Sequence, residues 1–124
     1  MSVLRWMKNI LVIEDENDIM AIVTLILEDE GYSVSTMSSA LHYETRVRAA
    51  HADLVLLDLN IAGFNGKIIC EYIKGQNDLK SIPVIIMSAN LNAKQVKEEC
   101  GAQGVIHKPF DLNNFIGTVR HYAA

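Results

Sequence analysis

The chain alternates between two hydrophobic patterns. Short runs of consecutive apolar residues predict strands, whereas apolar residues at every third or fourth position predict helices. The first, third and fourth strand segments are apolar throughout, which is typical of strands buried on both faces. The second alternates weakly, as expected at a sheet edge. The predicted strands cover residues 10–13, 32–37, 54–57, 82–87 and 105–106.

Each strand segment is followed by a segment with helical spacing. Ser39 is predicted to cap the second helix, which runs to about residue 50, and Asp111 to cap the fifth. Glycines fit the ends of three helices, namely Gly31 for the first, Gly75 for the third and Gly101 for the fourth. The predicted apolar stripes are Ile19, Ile22, Val23, Ile26 and Leu27 in the first helix, Ile69, Tyr72 and Ile73 in the third, Val96 and Cys100 in the fourth, and Leu112, Phe115, Ile116, Val119 and Tyr122 in the fifth.

This strand–helix alternation, repeated five times, predicts an α/β fold. Parallel strands need crossover connections, and right-handed crossovers place helices on both faces of the sheet. In open sheets of this kind, ligands bind outside the carboxyl ends of the strands. The side chains that directly follow the predicted strands are therefore the first place to look for function.

Length and charge narrow the possible functions. The 124 residues suit one domain over residues 1–124, with a core from about 8 to 122. A net charge of -4, without a Lys/Arg block, argues against direct binding of nucleic acid. The apolar runs are too short to span a bilayer, and the first eight residues do not resemble a signal peptide. These features favour a cytoplasmic protein that is not bound to a membrane.

The cysteines and histidines lack the spacing of a metal site or a disulfide framework. Cys70 and Cys100 each lie on an apolar helical stripe and are predicted to be buried free thiols in a reducing compartment. The histidines are interpreted as ordinary surface or packing residues, and they are His42, His51, His107 and His121.

Charged and polar side chains follow four of the five predicted strands. Glu14 and Asp15 follow the first strand, Asp58 the third, Ser88 the fourth and Lys108 the fifth. Like charges repel, so three carboxylates at one edge need a reason, and a hard cation such as Mg²⁺ with oxygen ligands supplies one. A carboxylate can also act as a nucleophile in phosphoryl transfer, with cations and hydroxyl donors neutralising the phosphoryl oxygens.

Each of these residues has an ordinary interpretation when taken alone. An Asp after a strand is usually a turn former or helix cap, and acids at a helix start are favoured by its dipole. A single Ser is more often a turn residue, and a single Lys a solvated charge. Their joint occurrence at one predicted edge favours the functional interpretation.

The chain resembles a response-regulator receiver domain, the chemotaxis-regulator-like fold of two-component signalling. The resemblance extends from about residue 8 to the C-terminus. It implies a flavodoxin-like, doubly wound (βα)5 fold whose five-stranded parallel sheet has the order 2-1-3-4-5. The segments that carry it are residues 10–16 (ILVIEDE), 53–60 (DLVLLDLN), 63–66 (GFNG), 84–89 (VIIMSA) and 108–110 (KPF).

The resemblance also implies a role for each residue. Asp58 would accept a phosphoryl group from a histidine kinase or a phosphotransfer protein, and a downstream target would read the change. Lys108 would pair with a phosphoryl oxygen, and the Ser88 hydroxyl would move toward it. The Lys108–Pro109 bond is expected to be cis. The implied ligands of Mg²⁺ are Asp15, Asp58, the backbone carbonyl of Asn60 and, through a water, Glu14.

The chain departs from the family pattern at three places. Ile61-Ala62 stands where the family often has Met-Pro, and Ser88 replaces the commoner Thr. Val105 stands at the position of the usual aromatic switch residue, so the surface formed by the fourth helix, fifth strand and fifth helix is expected to switch weakly or differently.

Three alternatives to a phosphorylated switch remain open. A receiver fold could act as a constitutive protein-binding module, which the intact acidic set disfavours. A phosphatase of the haloacid dehalogenase type would need a second Asp where this chain has Asn60. A flavodoxin-like cofactor binder would need a phosphate-cradling loop, yet residues 14–16 after the first strand are acidic. The switch itself is expected to assist its own phosphorylation and dephosphorylation without being a turnover enzyme.

Overall fold

The computed structural model describes residues 7–124. Residues 1–6, which include Trp6 and most of the segment that does not resemble a signal peptide, lie outside the described residues. Within this part of the chain five strands alternate with five helices, as the hydrophobic pattern predicts, and two further short strands follow the third. The strands are β1 (Asn9–Ile13), β2 (Ser33–Met37), β3 (Leu54–Asp58), β4 (Asn60–Ile61), β5 (Phe64–Asn65), β6 (Val84–Ser88) and β7 (Gly104–His107). The helices are α1 (Asn17–Asp29), α2 (Tyr43–Ala50), α3 (Gly66–Gly75), α4 (Ala93–Cys100) and α5 (Leu112–Ala123).

Five of the strands form one parallel sheet in the order β2-β1-β3-β6-β7. Counted within this sheet, the order is the 2-1-3-4-5 of the flavodoxin-like fold, so the predicted fold class is confirmed. The chain also contains a two-stranded antiparallel hairpin of β4 and β5, which the hydrophobic pattern did not predict.

The sheet is buried on both faces, which explains why its central strands are apolar throughout. Neighbouring residues of a strand point to opposite faces, so Leu11 belongs to one core cluster and Val12 to the other. Buried residues of α2, α3 and α4 cover the first face, and those of α1 and α5 cover the second. The helices therefore form layers on both sides of the sheet.

The predicted caps are confirmed at some helix ends and wrong at one. The Asp111 side chain accepts a hydrogen bond from the Asn114 N–H at 2.7 Å and caps α5, as predicted. Gly31 and Gly101 adopt the left-handed conformation after α1 and α4, with φ of +92° and +83°. Ser39 does not cap α2, because its hydroxyl accepts the Leu41 N–H in a preceding turn at 3.4 Å and the helix begins only at residue 43.

Two residues of the predicted apolar stripes face solvent. Ile22 in α1 is 55% exposed and Leu112 in α5 is 53% exposed. In α1 the buried positions are Val23 and Leu27, one turn apart, so Ile22 lies on the flank of the helix. Leu112 is the first residue of α5, ahead of the turn that carries the buried Phe115.

The cysteines lie together between two helices. Cys70 of α3 and Cys100 of α4 are free and buried, as predicted, and the Cys70 thiol donates to the Cys100 carbonyl at 3.4 Å. The histidines occupy exposed positions, two of them as left-handed residues flanking α2: His42, His51, His107 and His121. Among the described residues, no helix has the length and apolar character needed to cross a membrane.

Candidate functional site

The sheet register brings the predicted site residues to one edge. Ile13 pairs with Leu57, so Glu14 and Asp58 follow paired residues of β1 and β3. Further along the sheet, β6 ends at Ser88, which pairs with the residue before Lys108 in β7. All of these residues follow or end parallel strands, which is why their side chains converge.

The three carboxylates form a tight cluster. One oxygen from each of Glu14, Asp15 and Asp58 lies within 4.8 Å of the other two. Glu14 and Asp58 are buried, with 1% and 5% of their surface exposed, whereas Asp15 is half-buried. Such proximity is electrostatically costly unless cations or protons compensate the charge.

Lys108 supplies one compensating charge. Its Nζ lies 2.7 Å from Glu14 Oε1 and 3.3 Å from Asp58 Oδ2. Burial alone would lower the pKa of Lys108, but the hydrogen bond to Glu14 and the charges of both carboxylates outweigh that effect and raise it. The lysine therefore remains a cation between the two buried acids. The Lys108–Pro109 bond is cis, as the resemblance implies.

One ammonium cannot neutralise two buried carboxylates. The pKa of Glu14 is raised from 4.5 to about 7, mainly by burial and then by hydrogen bonding to Asp58, which together outweigh the lowering effect of Lys108. Near neutral pH, without a divalent cation, Glu14 is therefore protonated in part of the molecules. A second cation at this edge would displace that proton, because it favours the ionised carboxylates.

Main-chain N–H groups hold each carboxylate in place. The Glu16 N–H donates to Glu14 Oε2 at 3.3 Å, and the Asn60 N–H donates to Asp58 Oδ1 at 3.1 Å. Asp15 Oδ2 instead accepts the N–H of Ala62, at 2.8 Å. Each side chain thus has one oxygen tied to the backbone, which restricts its rotamer.

The Ser88 hydroxyl lies at the end of β6, in the strand next to Asp58. It is buried and accepts the Asn90 N–H at 3.0 Å. The Ser88 carbonyl accepts the Lys108 N–H at 2.9 Å, which ties the end of β6 to the segment that carries the lysine. Val105 of β7 is half-buried and packs against the core face covered by α2, α3 and α4.

The β4–β5 hairpin is the part of the site that the residue pattern did not predict. It begins two residues after Asp58, and Ala62 and Gly63 form its turn with φ of +27° and +77°. The Gly63 between apolar Ile61 and Phe64 is a weak turn signal, because an alanine occupies the other turn position.

Gly66 lets the chain after the hairpin pass close to Asp58. A Cβ atom at this position would lie 2.4 Å from the Asp58 carbonyl oxygen and 2.9 Å from the Leu59 Cα. The Gly66 N–H donates to the Leu59 carbonyl at 2.8 Å, which fixes the approach. The start of α3 therefore lies directly against the backbone at Asp58, the predicted phosphoryl acceptor.

The donor set fits a hard divalent cation. Mg²⁺ takes oxygen ligands and is usually bound by one or two carboxylates together with waters. Asp15 and Asp58 offer carboxylate oxygens within 4.8 Å of each other, and Asn60 lies at the start of β4, two residues past Asp58. Glu14 is more deeply buried and already paired with Lys108. Soft ligands are absent from this set, so chemistry favours Mg²⁺ over thiophilic metals.

The sequence model of the response regulator receiver domain matches residues 10–120. The DNA-binding response regulator MtrA of Mycobacterium tuberculosis is 30% identical over 115 residues, which cover 91% of this chain and 49% of that protein. Response regulator ArlR of Staphylococcus aureus is 32% identical over 116 residues, which cover 92% of this chain and 52% of that protein. The chain spans about half the length of these curated relatives.

Solved structures show the same fold. Chemotaxis response regulator CheY4 of Vibrio cholerae aligns with a TM-score of 0.85 at 24% identity, covering 94% of this chain and 98% of that one. The signal receiver domain of a signal transduction histidine kinase from Syntrophus aciditrophicus aligns with a TM-score of 0.84 at 26% identity, covering 94% of this chain and 89% of that one.

Proposed function

Because this chain belongs to the response regulator receiver domain family, we propose that it is a phosphorylatable switch of two-component signalling. Asp58 accepts a phosphoryl group from a histidine kinase or a phosphotransfer protein in a Mg²⁺-dependent reaction. The observation that carries the proposal is the position of Asp58 in a carboxylate cluster with Glu14 and Asp15, where its Oδ2 lies 3.3 Å from Lys108 Nζ. The resulting change in the protein's surface is read by a downstream protein or by an output domain.

In the proposed reaction the Asp58 carboxylate attacks phosphorus. A P–O bond forms to the carboxylate as the P–N bond of the donor's phosphohistidine breaks, and its electron pair returns to the imidazole nitrogen, which takes up a proton. The incoming group brings negative charge into an acidic cluster. Its oxygens therefore need positive or hydrogen-bonding partners.

The chain's own residues supply two of these partners. Lys108 Nζ already contacts Asp58 Oδ2. The ammonium can therefore exchange its contact with Glu14 for one with an oxygen of the phosphoryl group on Asp58. The Ser88 hydroxyl accepts the Asn90 N–H through its oxygen, so its own O–H can be donated to a phosphoryl oxygen. Asp15, Asp58 and the Asn60 carbonyl would hold Mg²⁺, with Glu14 contributing through a water. The ion would neutralise phosphoryl charge.

The proposed protein is a signalling switch and not a turnover enzyme. It assists its own phosphorylation and dephosphorylation through the same residues. The relatives MtrA and ArlR are about twice as long as the stretch they share with this chain, and MtrA is described as DNA-binding. By analogy, the output of this receiver lies in a partner or an attached domain, and the receiver does not itself contact nucleic acid.

Intact mass after incubation with acetyl phosphate and Mg²⁺ tests the proposal. We expect the wild-type chain to gain one phosphoryl group and to lose this gain when EDTA replaces Mg²⁺. Asp58→Asn should show no gain. Asp53→Asn is a matched control, because Asp53 precedes the same strand at its opposite end and its side chain accepts only the Asn9 N–H among the described residues.

A folded wild-type chain that binds Mg²⁺ but gains no mass would contradict the proposal. That result would instead favour a constitutive binding module built on the receiver fold.

A further inference from the structure

Two cysteines from different helices lie against each other in the core. Cys70 is in the middle of α3, and Cys100 is the last residue of α4. The Cys70 thiol donates to the Cys100 carbonyl oxygen at 3.4 Å, although the residues are 30 positions apart in sequence. Both thiols are free and belong to the same core cluster. The proposed phosphorylation site uses neither of them.

The two sulfur atoms are neighbours as well. Hydrogen bonding to the Cys70 thiol is the main cause that lowers the pKa of Cys100, and such a bond needs sulfur next to sulfur. The Cys100 sulfur also lies 3.7 Å from the Lys97 carbonyl oxygen, over the preceding turn of α4. A disulfide forms only between residues that already face each other closely, and this contact between α3 and α4 meets that need.

The surroundings of the pair favour a thiolate on Cys100. The hydrogen bond from Cys70 lowers the pKa of Cys100 to about 7, whereas that interaction and burial raise the pKa of Cys70. Cys100 is also the more accessible of the two, with 4% exposure against 0% for Cys70. The thiolate is the form of cysteine that reacts with oxidants, so Cys100 is the residue that reacts first.

A lysine supplies positive charge beside the pair. The ammonium of Lys74 lowers the pKa of Cys70, and the charges of both sulfurs act on the lysine in return. Its Nζ is held by the carbonyl oxygens of Lys80 and Ile82, at 3.1 and 2.6 Å. A cation fixed near two thiols stabilises negative charge on either sulfur while the other reacts.

We propose that Cys70 and Cys100 are a redox-sensitive pair that a small hydroperoxide converts into an intramolecular disulfide. Disulfides in a reducing compartment are usually transient and report redox state, which suits a pair of free and buried thiols. The inference concerns a second chemistry of this chain and does not depend on phosphorylation of Asp58.

The reaction has two steps. The Cys100 thiolate attacks one oxygen of the hydroperoxide, so an S–O bond forms as the O–O bond breaks, and the departing oxygen takes up a proton from solvent. The product is a sulfenic acid on Cys100. The Cys70 sulfur then attacks the Cys100 sulfur, so an S–S bond forms as the S–O bond breaks, and the hydroxide leaves with the Cys70 proton as water. The two thiols lose two electrons in total, and the hydroperoxide gains them.

The disulfide would join two helices that start beside the proposed phosphorylation site. α3 begins at Gly66, against the Asp58 backbone, and α4 begins at Ala93, after the loop that follows Ser88. A covalent bond between them would restrain α4 relative to α3.

Mass spectrometry of the reduced wild-type chain, treated with hydrogen peroxide under native conditions, tests the inference. We expect a loss of two hydrogen atoms per chain, a cross-linked peptide that contains both cysteines, and recovery of the reduced mass with dithiothreitol. The thiols staying reduced would overturn the inference. So would oxygen gained by a cysteine, or a bond between two chains, in place of the cross-link within one chain.

Thermal unfolding shows whether the native contact accommodates the bond. A disulfide between residues 30 positions apart restricts the unfolded chain, so the midpoint of the oxidised protein should rise by about 5–15 °C. A lower midpoint than that of the reduced protein would overturn the inference, because the bond would then form only by distorting the fold.

Two matched substitutions test the order of the steps. Cys70→Ser keeps a hydrogen-bond donor but cannot form the disulfide, so dimedone, which traps sulfenic acids, should label Cys100. Cys100→Ser should give at least tenfold less labelling, because the remaining Cys70 has a raised pKa and no exposed surface. Circular dichroism checks that both variants are folded. Equal labelling of the two variants, or no label on Cys100 in Cys70→Ser, would overturn the assigned order.

Discussion

Lys108 and Glu14, which are 94 residues apart in sequence, are joined by a 2.7 Å contact between Nζ and Oε1. This contact joins Glu14, in the segment after β1, to Lys108, in the segment after β7. Glu14 has a fully buried side chain, and the lysine side chain is only 17% exposed. The pair therefore lies in a low-dielectric environment where a missing partner is costly.

Replacing Lys108 by Ala should destabilise the protein in the absence of divalent cations. Glu14 and Asp58 would lose their shared ammonium, and a buried group left unsatisfied costs about 1–3 kcal/mol. Urea unfolding at neutral pH in EDTA measures the free energy of unfolding. Lys94→Ala is the control, because Lys94 is exposed. A loss no larger than that of Lys94→Ala would show that Lys108 does not stabilise the acidic cluster.

The stability of the protein without divalent cations should depend on the ionisation of Glu14. Burial raises the pKa of Glu14 to about 7 in the folded state, above its ordinary value of 4.5. Folding therefore favours the protonated carboxyl. The resulting stabilisation is complete below about pH 4.5 and is lost as the pH rises through about 7.

Glu14→Gln, which cannot ionise, isolates this effect. In EDTA, the free energy of unfolding of the wild type minus that of the variant should fall as the pH increases across that window. Saturating Mg²⁺ should reduce the fall, because the cation favours ionised carboxylates. Urea titrations at several pH values give both curves. A pH-independent difference between the proteins would mean that Glu14 ionises in the folded state as it does in the unfolded chain.

Gly66 should not tolerate a side chain. Gly66→Ala would place its Cβ against the Asp58 carbonyl and the Leu59 backbone, which cannot move as a flexible side chain would. Overpacking of this kind costs about 1–3 kcal/mol. Gly117→Ala is the matched control: Gly117 lies inside α5, and a Cβ there would meet no atom within 4 Å.

The control should change stability in the opposite direction. Alanine is favoured over glycine in a helix by about 0.8–1 kcal/mol, so Gly117→Ala should raise the midpoint of thermal unfolding. Gly66→Ala should lower it. Equal effects of the two substitutions would indicate that residue 66 lies further from the Asp58 backbone in solution than in this structure.

The two thiols should be protected in the native protein. Cys70 is 0% exposed and Cys100 is 4% exposed, so a bulky aromatic disulfide reagent cannot reach either sulfur without local opening. We expect slow reaction of the native chain and rapid release of two equivalents in denaturant. Rapid reaction of one thiol under native conditions would show that the contact between α3 and α4 opens readily.

Much of the fold is determined locally and could be predicted from the sequence. Apolar runs predicted the strands because each central strand is buried on both faces, and Asp111 and Gly101 predicted helix ends because their effects involve only near neighbours. Ser39 failed as a cap because its hydroxyl bonds in a turn of its own. Ile22 failed as a core residue because helical spacing does not specify where the edge of the buried face lies.

The sequence alone determined which residues meet at the functional edge, because parallel strands end at one edge of the sheet and the residue after each strand is fixed by the chain. Tertiary structure alone decided how they meet. Lys108 pairs with Glu14 more closely than with Asp58, and Ala62 holds Asp15 through a hairpin that the hydrophobic pattern does not reveal. These contacts join residues more than 40 positions apart. Their geometry depends on loop conformation and burial, and local residue patterns contain neither.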